Sequence, residues 1–349
     1  MNKTKICVIA HFAFGKNLLN GQTVKAKIIT EELENQLGEN QVLKIDTHGG
    51  IKSLLKAPFQ VLKALKKSEN VIIMPAHNGL RVYAPLLNFF KKFYKPRKLH
   101  YVVIGGWLAS FLKNKKGLTK TLKKFYGIYA ETNTMKNDLE ALGFKNVSVM
   151  PNCKKLDVIK EDELVKFDKE PYKLCTFSRV MKEKGIEDAI NSVKAVNEKF
   201  SRVVFTLDIY GQIDGGQEEW FENLQKEFPE YVKYGGLVPF DKSVEVLKDY
   251  FALLFPTYYE GEGFAGTLID AFSAGIPIIA SDWKYNSEIV ESGKTGLIYN
   301  LKESNALEGC LKWCLDNVTN WLDMKGNCLV EAQKYLPNVV VKEFLDQLE

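Results

Sequence analysis

Residues 255–282 read FPTYYEGEGFAGTLIDAFSAGIPIIASD. This order of residues predicts a buried strand, a glycine-rich turn with two glutamates, a helix, a Gly-x-Pro break and a second buried strand. A helix between two wholly apolar strands is typical of a parallel sheet that helices cover on both faces. The stretch therefore predicts an α/β protein.

The same alternation extends outward from this window in both directions. Amphipathic stretches that suit helices separate most of the apolar runs, as in a doubly wound parallel sheet. The runs that suit buried strands are 6–10, 41–46, 71–75, 100–104, 127–131, 147–150, 172–177, 203–210, 232–234, 251–255, 276–280 and 296–299.

The rhythm breaks after residue 152, where a charged stretch poor in strands follows. We therefore predict two Rossmann-like domains, at 1–152 and 172–335, joined by a linker at 153–171. Tandem domains of this kind bind ligands in a cleft beside the carboxyl ends of their sheets. A last helical segment at 336–349 is free to pack back on the N-terminal domain.

Composition agrees with two globular domains and excludes several other classes. The chain has 349 residues, 46% of them hydrophobic, which excludes collagen, coiled coils and disordered chains. The longest apolar stretch, 101–112, is too short to span a membrane, and residues 1–10 lack a signal-peptide pattern. The six cysteines are scattered without a C-x-x-C pair, so we expect a reduced, cytoplasmic protein.

Charge is divided unevenly along the chain. Residues 1–150 hold 25 basic and 9 acidic side chains, a balance of +16, whereas residues 151–349 hold 23 and 34, a balance of −11. Residues 52–124 alone hold 17 basic side chains and one acid, Glu69. The first half is therefore expected to meet an anionic partner, either an anionic membrane surface or nucleic acid.

The window at 255–282 also carries the residues best suited to a ligand. Gly261, Gly263 and Gly266 allow backbone N–H groups at the mouth of the helix to approach an anion closely. Glu262 in the turn and Asp270 on the helix are natural acceptors for vicinal hydroxyl groups. A sugar nucleotide offers both kinds of group, a diphosphate and two sugars.

Two motifs resemble those of a known family. Glu262-x7-Asp270, within E-G-F-x5-D-A-x3-G-x-P, resembles the E-x7-E motif of the retaining glycosyltransferases of family 4. The stretch 177–185 (FSRVMKEKG) is similar to the F-x-R-x4-K-G segment of that family. Weaker likenesses are the loop at 15–23 (GKNLLNGQT), Pro-Asn at 151–152 and Ile-Tyr-Gly at 209–211. The resemblance implies the GT-B fold, in which two Rossmann-like domains face a cleft.

The resemblance also implies roles for individual residues. Arg179 and Lys184 would neutralise the donor diphosphate in place of a metal, and Glu262 would hold hydroxyls of the donor sugar. The sequence has no D-x-D triplet, which agrees with a metal-independent reaction without a cofactor. Further donor-binding residues implied by the motifs are Gly15, Gly211, Gly263, Phe264, Ala265 and Asp270.

The chain departs from the family pattern at two positions. Asp270 stands where the family has a second glutamate, so its reach toward a ribose is shorter by one methylene. The histidine that many relatives carry after the fourth strand is replaced by Ile-Gly-Gly-Trp at 104–107. His77, after the third strand, and Trp107 are therefore the candidates for contacts on the acceptor side.

We expect a retaining glycosyltransferase that moves a sugar from a nucleotide-diphosphate sugar to a glycan or polyprenyl-linked hydroxyl, in cell-surface polysaccharide synthesis. The enzyme would lie in the cytoplasm, peripheral on the inner face of the plasma membrane. Three alternatives stay open: a nucleotide-sugar epimerase of the same architecture, a basic nucleic-acid-binding protein, and a sugar-nucleotide binder without turnover. The sequence lacks recognisable nucleic-acid-binding motifs, G-x-G-x-x-G after the first strand, a P-loop and zinc-ligand spacing.

Overall fold

A computed structural model describes residues 4–16 and 21–348, and contacts divide them into two compact units. The first unit comprises the described residues of 1–155 and 335–349, and the second comprises 156–334. Within the described ranges, no helix combines the length and the apolar character needed to cross a membrane.

The first unit contains a parallel sheet of six strands among its described residues, in the order β2-β1-β3-β4-β5-β6. Its strands are β1 Thr4–Ala10, β2 Val42–Asp46, β3 Ser68–Met74, β4 Lys98–Val102, β5 Gly127–Ala130 and β6 Val147–Val149. Its helices are α1 Gly21–Leu37, α2 Ile51–Leu55, α3 Ala57–Lys67, α4 His77–Phe90, α5 Leu108–Leu112, α6 Lys116–Leu122 and α7 Asn133–Ala141.

The second unit repeats the plan, with the described strands in the parallel order β12-β11-β10-β7-β8-β9. Its strands are β7 Tyr172–Phe177, β8 Phe205–Tyr210, β9 Val232–Gly236, β10 Ala252–Phe255, β11 Ile278–Ser281 and β12 Gly296–Tyr299. Its helices are α8 Ile186–Lys199, α9 Glu218–Gln225, α10 Ser243–Leu247, α11 Gly266–Ser273, α12 Asn286–Ile289, α13 Ala306–Asp316 and α14 Val318–Gln333.

These two sheets confirm the α/β, doubly wound fold class. The window at 255–282 forms the end of β10, the turn, α11 and β11, and the two strands pair in register from Leu253 opposite Ile278. Gly275 ends α11 in the left-handed conformation at φ +61°, which a side chain would strain. Every residue of both strands is buried, so the continuous apolar pattern follows from helices on both faces of the sheet.

Two segments differ from what the sequence predicts. Residues 156–171, predicted as linker, pack on the second unit: the Ile159 N–H donates to the Ser273 carbonyl at 3.0 Å, and the Phe167 ring lies 5.6 Å from that of Phe251. The stretch forms no regular strand. Side-chain packing and single hydrogen bonds hold it in place. The helix α14 was not predicted, since Asn, Gly and Lys interrupt its apolar face.

The last helix, α15 Pro337–Asp346, belongs to the first unit. Gln36 on α1 donates to the Asn338 carbonyl at 3.2 Å, and Lys98 donates to the Leu348 carbonyl at 2.6 Å. Phe344 is buried against the Tyr129 ring at 4.7 Å. The chain therefore leaves the first unit after residue 155 and returns to it at residue 335.

Candidate functional site

The candidate site of the second unit lies at the carboxyl edge of its sheet, where β7, β8 and β10 end. Gly185 precedes α8 with φ +71°, and a Cβ atom there would lie 2.2 Å from the Pro256 carbonyl oxygen. Only glycine fits this conformation and this approach. The loop after β7 is thereby brought against the loop after β10, although 78 residues separate Lys184 from Glu262.

Lys184 and Glu262 form a buried ion pair. Lys184 Nζ lies 2.5 Å from Glu262 Oε2, and the two side chains are 9% and 7% exposed. Thr257 Oγ1 donates a hydrogen bond to the same carboxylate oxygen at 2.8 Å. The lysine also lies 5.2 Å from the centre of the Tyr259 ring. The structure thus brings two predicted site residues into direct contact and fixes the orientation of the carboxylate.

Arg179 lies close to the same tyrosine. Its guanidinium carbon is 5.7 Å from the centre of the Tyr259 ring, and its Nη1 donates to Asp214 Oδ2 at 2.9 Å. The Arg179 side chain is 48% exposed, so a ligand can reach it. Two cations therefore converge on one aromatic ring beside Glu262.

Sequence reasoning did not include Asp214 or Tyr259 among the site residues. The sequence signal for Asp214 is that it comes soon after Gly211, in the loop that follows β8. Val180 and Ile213 form a parallel bridge that draws this loop and the loop after β7 together. Polar residues just after neighbouring parallel strands meet at one edge of the sheet.

Gly211 allows this bridge to form. It adopts φ +137°, and a Cβ atom would lie 1.8 Å from the Ser178 carbonyl oxygen. Its N–H donates to the Gly236 carbonyl at 2.9 Å, and its own carbonyl accepts from the Tyr234 hydroxyl at 2.7 Å. In this structure Gly211 thus serves close packing of two loops, and its N–H is engaged within the protein.

Replacement of Gly211 by alanine is expected to lower the free energy of unfolding by about 2 kcal/mol, because the methyl group collides with a backbone carbonyl. Chemical denaturation measures this loss. Gly236→Ala is the matched control: it also has a positive φ, +80°, but its Cβ would have nothing within 4 Å. It should cost about 1 kcal/mol, the backbone strain alone. Equal losses of unfolding free energy in the two variants would contradict the explanation by collision.

The second predicted acid, Asp270, lies inside the unit. It is 2% exposed, and Ser243 Oγ at the start of α10 donates to its Oδ1 at 2.8 Å. Phe264 in the glycine-rich turn is buried as well, and Ala265 is extended immediately before the first turn of α11. A hydrogen bond in the interior of the unit therefore orients the Asp270 carboxylate, whereas the Arg179 side chain is exposed to solvent.

In the first unit, His77 and Trp107 form an aromatic shelf. His77 begins α4, and its ring stacks on that of Trp107 with centres 3.8 Å apart. Phe111 meets both rings edge-on. Burial lowers the pKa of His77 below 6.5, and the nearby charges of Arg81 and Lys115 lower it further. The imidazole is therefore neutral at pH 7.

A second polar cluster of the first unit was missed by sequence reasoning. Asp46, at the end of β2, accepts the N–H groups of residues 12, 13, 14 and 48. Burial raises the pKa of Asp46, but these four N–H donors outweigh it, and the net pKa is lowered. His48 Nδ1 lies 3.0 Å from His11 Nε2, and His11 Nδ1 lies 2.8 Å from Thr23 Oγ1. A usable signal is that β1 and β2 are neighbours, each followed by a histidine.

Gly15 follows this cluster at φ +75°, a conformation that favours glycine, in open space. Residues 17–20, within the loop predicted at 15–23 to resemble the family's glycine-rich loop, lie outside the described residues. Among the described residues, no group of three His, Cys, Asp or Glu side chains is arranged to hold a metal ion.

Comparison with known proteins agrees with this geometry. Residues 157–325 match the family model described as glycosyl transferases group 1. The second unit is a group 1 glycosyltransferase domain. An uncharacterized glycosyltransferase of Methanocaldococcus jannaschii is 27% identical to this chain over 241 residues. That alignment covers 63% of the chain and 59% of the relative, so the chain spans less than two thirds of that protein's length.

Solved structures extend the likeness to both units. HepE of Anabaena, crystallised with UDP, matches with a TM-score of 0.76 at 14% identity, and 99% of each chain is covered. The lipopolysaccharide outer core galactosyltransferase WaaB, in its apo form, matches with a TM-score of 0.76 at 17% identity and the same coverage. The group 1 domain therefore belongs to a chain with the GT-B fold, as the motifs of its second half predicted.

Proposed function

We propose that this chain transfers a sugar from a nucleotide-diphosphate sugar to a hydroxyl group of a glycan or polyprenyl-linked acceptor, with retention of configuration at C1. The observation that carries the proposal is the buried Lys184–Glu262 pair beside Arg179. It combines positive charge suited to a diphosphate with a carboxylate suited to sugar hydroxyls, in a group 1 glycosyltransferase domain.

The difficult step is departure of the diphosphate. The bond between C1 and the phosphate oxygen breaks, and its electron pair stays on that oxygen. The acceptor oxygen bonds to C1 on the same face, and its proton passes to the departing oxygen. The products are a glycoside and a nucleoside diphosphate, so no added acid or base is required.

The side chains can meet this charge while keeping their present partners. An ammonium group has three donors, so Lys184 can stay paired with Glu262 and still donate to a phosphate oxygen. A guanidinium group has five, so Arg179 can do the same while bonded to Asp214. Charge-assisted bonds of this kind stabilise the leaving group where charge develops. Under this proposal the two cations supply the charge, and no metal or cofactor is required.

Donor and acceptor follow by class. HepE binds UDP, which supports a uridine diphosphate sugar as the donor here. The aromatic shelf of His77 and Trp107 offers a stacking surface for an acceptor sugar. The excess of positive charge in the first half suits an anionic partner, and the lack of recognisable nucleic-acid-binding motifs in the sequence favours a membrane over nucleic acid. We therefore assign the enzyme to cell-surface polysaccharide synthesis at the inner face of the plasma membrane.

The test is a thermal-shift series with UDP, GDP and ADP. UDP is expected to raise the Tm of the wild-type protein most, and Arg179→Ala should lose most of that shift. Loss of one charge-assisted hydrogen bond weakens binding by about 2 kcal/mol, or roughly thirtyfold. Arg202→Ala is the matched control, since Arg202 is another arginine of this unit with a carboxylate partner, Glu170. It should keep the full shift.

A full UDP shift in Arg179→Ala would overturn the site. Product analysis then separates the proposed activity from its rivals. Transfer to an added acceptor supports the proposal, whereas release of an epimerised sugar without acceptor would identify an epimerase. Binding without turnover over a broad set of acceptors would identify a sugar-nucleotide binder.

A further inference from the structure

The helices α2 and α3 expose an apolar stripe to solvent. Ile51, Leu55 and Phe59 are 77%, 74% and 76% exposed. Their four-residue spacing places them along one face of a helix. Lys56, between the two helices, keeps helical dihedral angles of φ −83° and ψ −10°, so the face continues from α2 into α3.

Every other exposed side chain on this segment is a lysine. The exposed residues between 51 and 67 are Ile51, Lys52, Leu55, Lys56, Phe59, Lys63 and Lys66. The sequence from 47 to 68 contains no acidic residue. The opposite face is buried in the first unit through Ala57, Val61, Ala64 and Leu65. The segment is thus anchored on one side and presents only large apolar and basic groups on the other.

We propose that this α2–α3 face inserts into the headgroup region of an anionic bilayer. Ile51, Leu55 and Phe59 would enter the boundary with the acyl chains, and the lysines would contact anionic headgroups. Charge complementarity supports a lipid partner, because residues 52–124 hold 17 basic side chains and a single acid. This inference rests on the proposed function only in its choice of a lipid-linked acceptor.

The position of the face suits that acceptor. The segment follows β2, whose carboxyl end carries Asp46, and His77 follows the carboxyl end of β3 two strands away in the sheet. Carboxyl ends of parallel strands share one edge, so α2 begins at the edge that bears the aromatic shelf. A lipid-linked sugar held by the bilayer would therefore arrive near that shelf.

Two other basic stretches attract attention in the sequence but fit insertion less well. In 113–124, Leu118 and Leu122 are buried, so that surface offers charge without apolar groups. In the stretch 91–98, Phe93 is exposed, but it follows the far end of α4, away from the edge of the sheet that bears the shelf.

Vesicle flotation tests the proposal. The wild-type protein is expected to float with phosphatidylcholine vesicles that contain roughly 30% phosphatidylglycerol at low salt, and to float less at high salt. Ile51→Ser, Leu55→Ser and Phe59→Ser together should weaken partitioning at least about tenfold. Phe89→Ser with Phe93→Ser is the matched control, because both phenylalanines are exposed on the same unit. It should float as the wild type does.

Each result decides the matter. Equal flotation of the triple variant and the wild type would overturn the proposal, as would a wild type that fails to float. Loss of self-association in the triple variant, without any vesicle binding, would instead identify a second copy of this chain as the occupant. The Tm of the triple variant without ligand checks that it is folded. The Tm shift with UDP separates the two proposals, since failure of UDP binding would leave a positive flotation result intact.

Discussion

Replacement of Lys184 by alanine is expected to lower kcat/KM for sugar transfer by about a thousandfold and the free energy of unfolding by about 3 kcal/mol. Under the proposed function, the first effect follows because Lys184 would face the developing charge of the diphosphate. The second follows because Glu262, with its side chain 7% exposed, would be left as a buried carboxylate without its counter-charge. Initial rates and chemical denaturation measure the two effects.

A double variant separates catalysis from stability. Lys184→Met with Glu262→Gln removes both charges and keeps both shapes, so most of the lost unfolding free energy should return. Sugar transfer should stay low, because neither the cation nor the carboxylate is restored. Lys242→Ala is the control for loss of an ion pair: its partner Glu245 is exposed, and removal should change stability far less than Lys184→Ala does.

The assignment of Lys184 fails if Lys184→Ala keeps kcat/KM within about tenfold of the wild type. The structural explanation fails if the double variant is no more stable than Lys184→Ala. The loss of unfolding free energy would then not come from an unpaired Glu262 carboxylate.

Replacement of Lys325 by methionine is expected to raise the free energy of unfolding by about 3 kcal/mol near pH 7. Lys325 lies on α14 and is 3% exposed, and its Nζ has no hydrogen-bond partner among the described residues. The Nζ atom lies 4.9 Å from the centre of the Phe167 ring. Burial lowers the pKa of Lys325 from 10.5 to about 8, against smaller opposing effects of Cys328 and Asp249.

The lowered pKa of Lys325 fixes the sign of the pH dependence. Between about pH 8 and pH 10.5 the unfolded chain holds the proton while the folded protein releases it. The contribution of Lys325 to the free energy of unfolding therefore rises with pH across this window. Below pH 8 the folded protein carries a buried charge at its full cost, which methionine removes.

Denaturation of the wild type and of Lys325→Met at pH 7 and pH 10 measures this effect. The difference in free energy of unfolding between the two proteins should be large at pH 7 and should shrink at pH 10. Taking this difference cancels the titration of the groups that both proteins share. Lys302→Met, at an exposed loop lysine, is the control and should change stability by less than about 0.5 kcal/mol at either pH. A constant difference from pH 7 to pH 10 would refute the role of burial.

The alternation of the sequence was sufficient to predict the parallel sheets. Strands such as Tyr172–Phe177 and Gly296–Tyr299 have the bounds expected from their patterns. Buried strands between amphipathic helices leave one solution, because their apolar faces must be covered on both sides. The helix α14 escaped prediction because Lys325 stands on its buried face, where a pattern of hydrophobic residues would not include a lysine.

The site was predictable only where a motif linked distant residues. Lys184 and Glu262 could be paired because both belong to family motifs, although 78 residues separate them. Asp214, Tyr259 and the contact between His11 and His48 depend on how loops after neighbouring strands meet. No local pattern encodes that meeting, since it follows from strand order and from close approaches at glycines such as Gly211.

The return of the chain at residue 335 has a practical consequence for engineering. The polypeptide that makes up the group 1 domain is one uninterrupted insert, and the remainder is split into two pieces that α15 completes. Any hybrid enzyme that receives a foreign donor half must therefore be spliced at both junctions, near 155 and near 335. A single crossover would leave the first unit with a foreign α15 packed against its own α1. The unit that was meant to stay native would then be the one that loses stability.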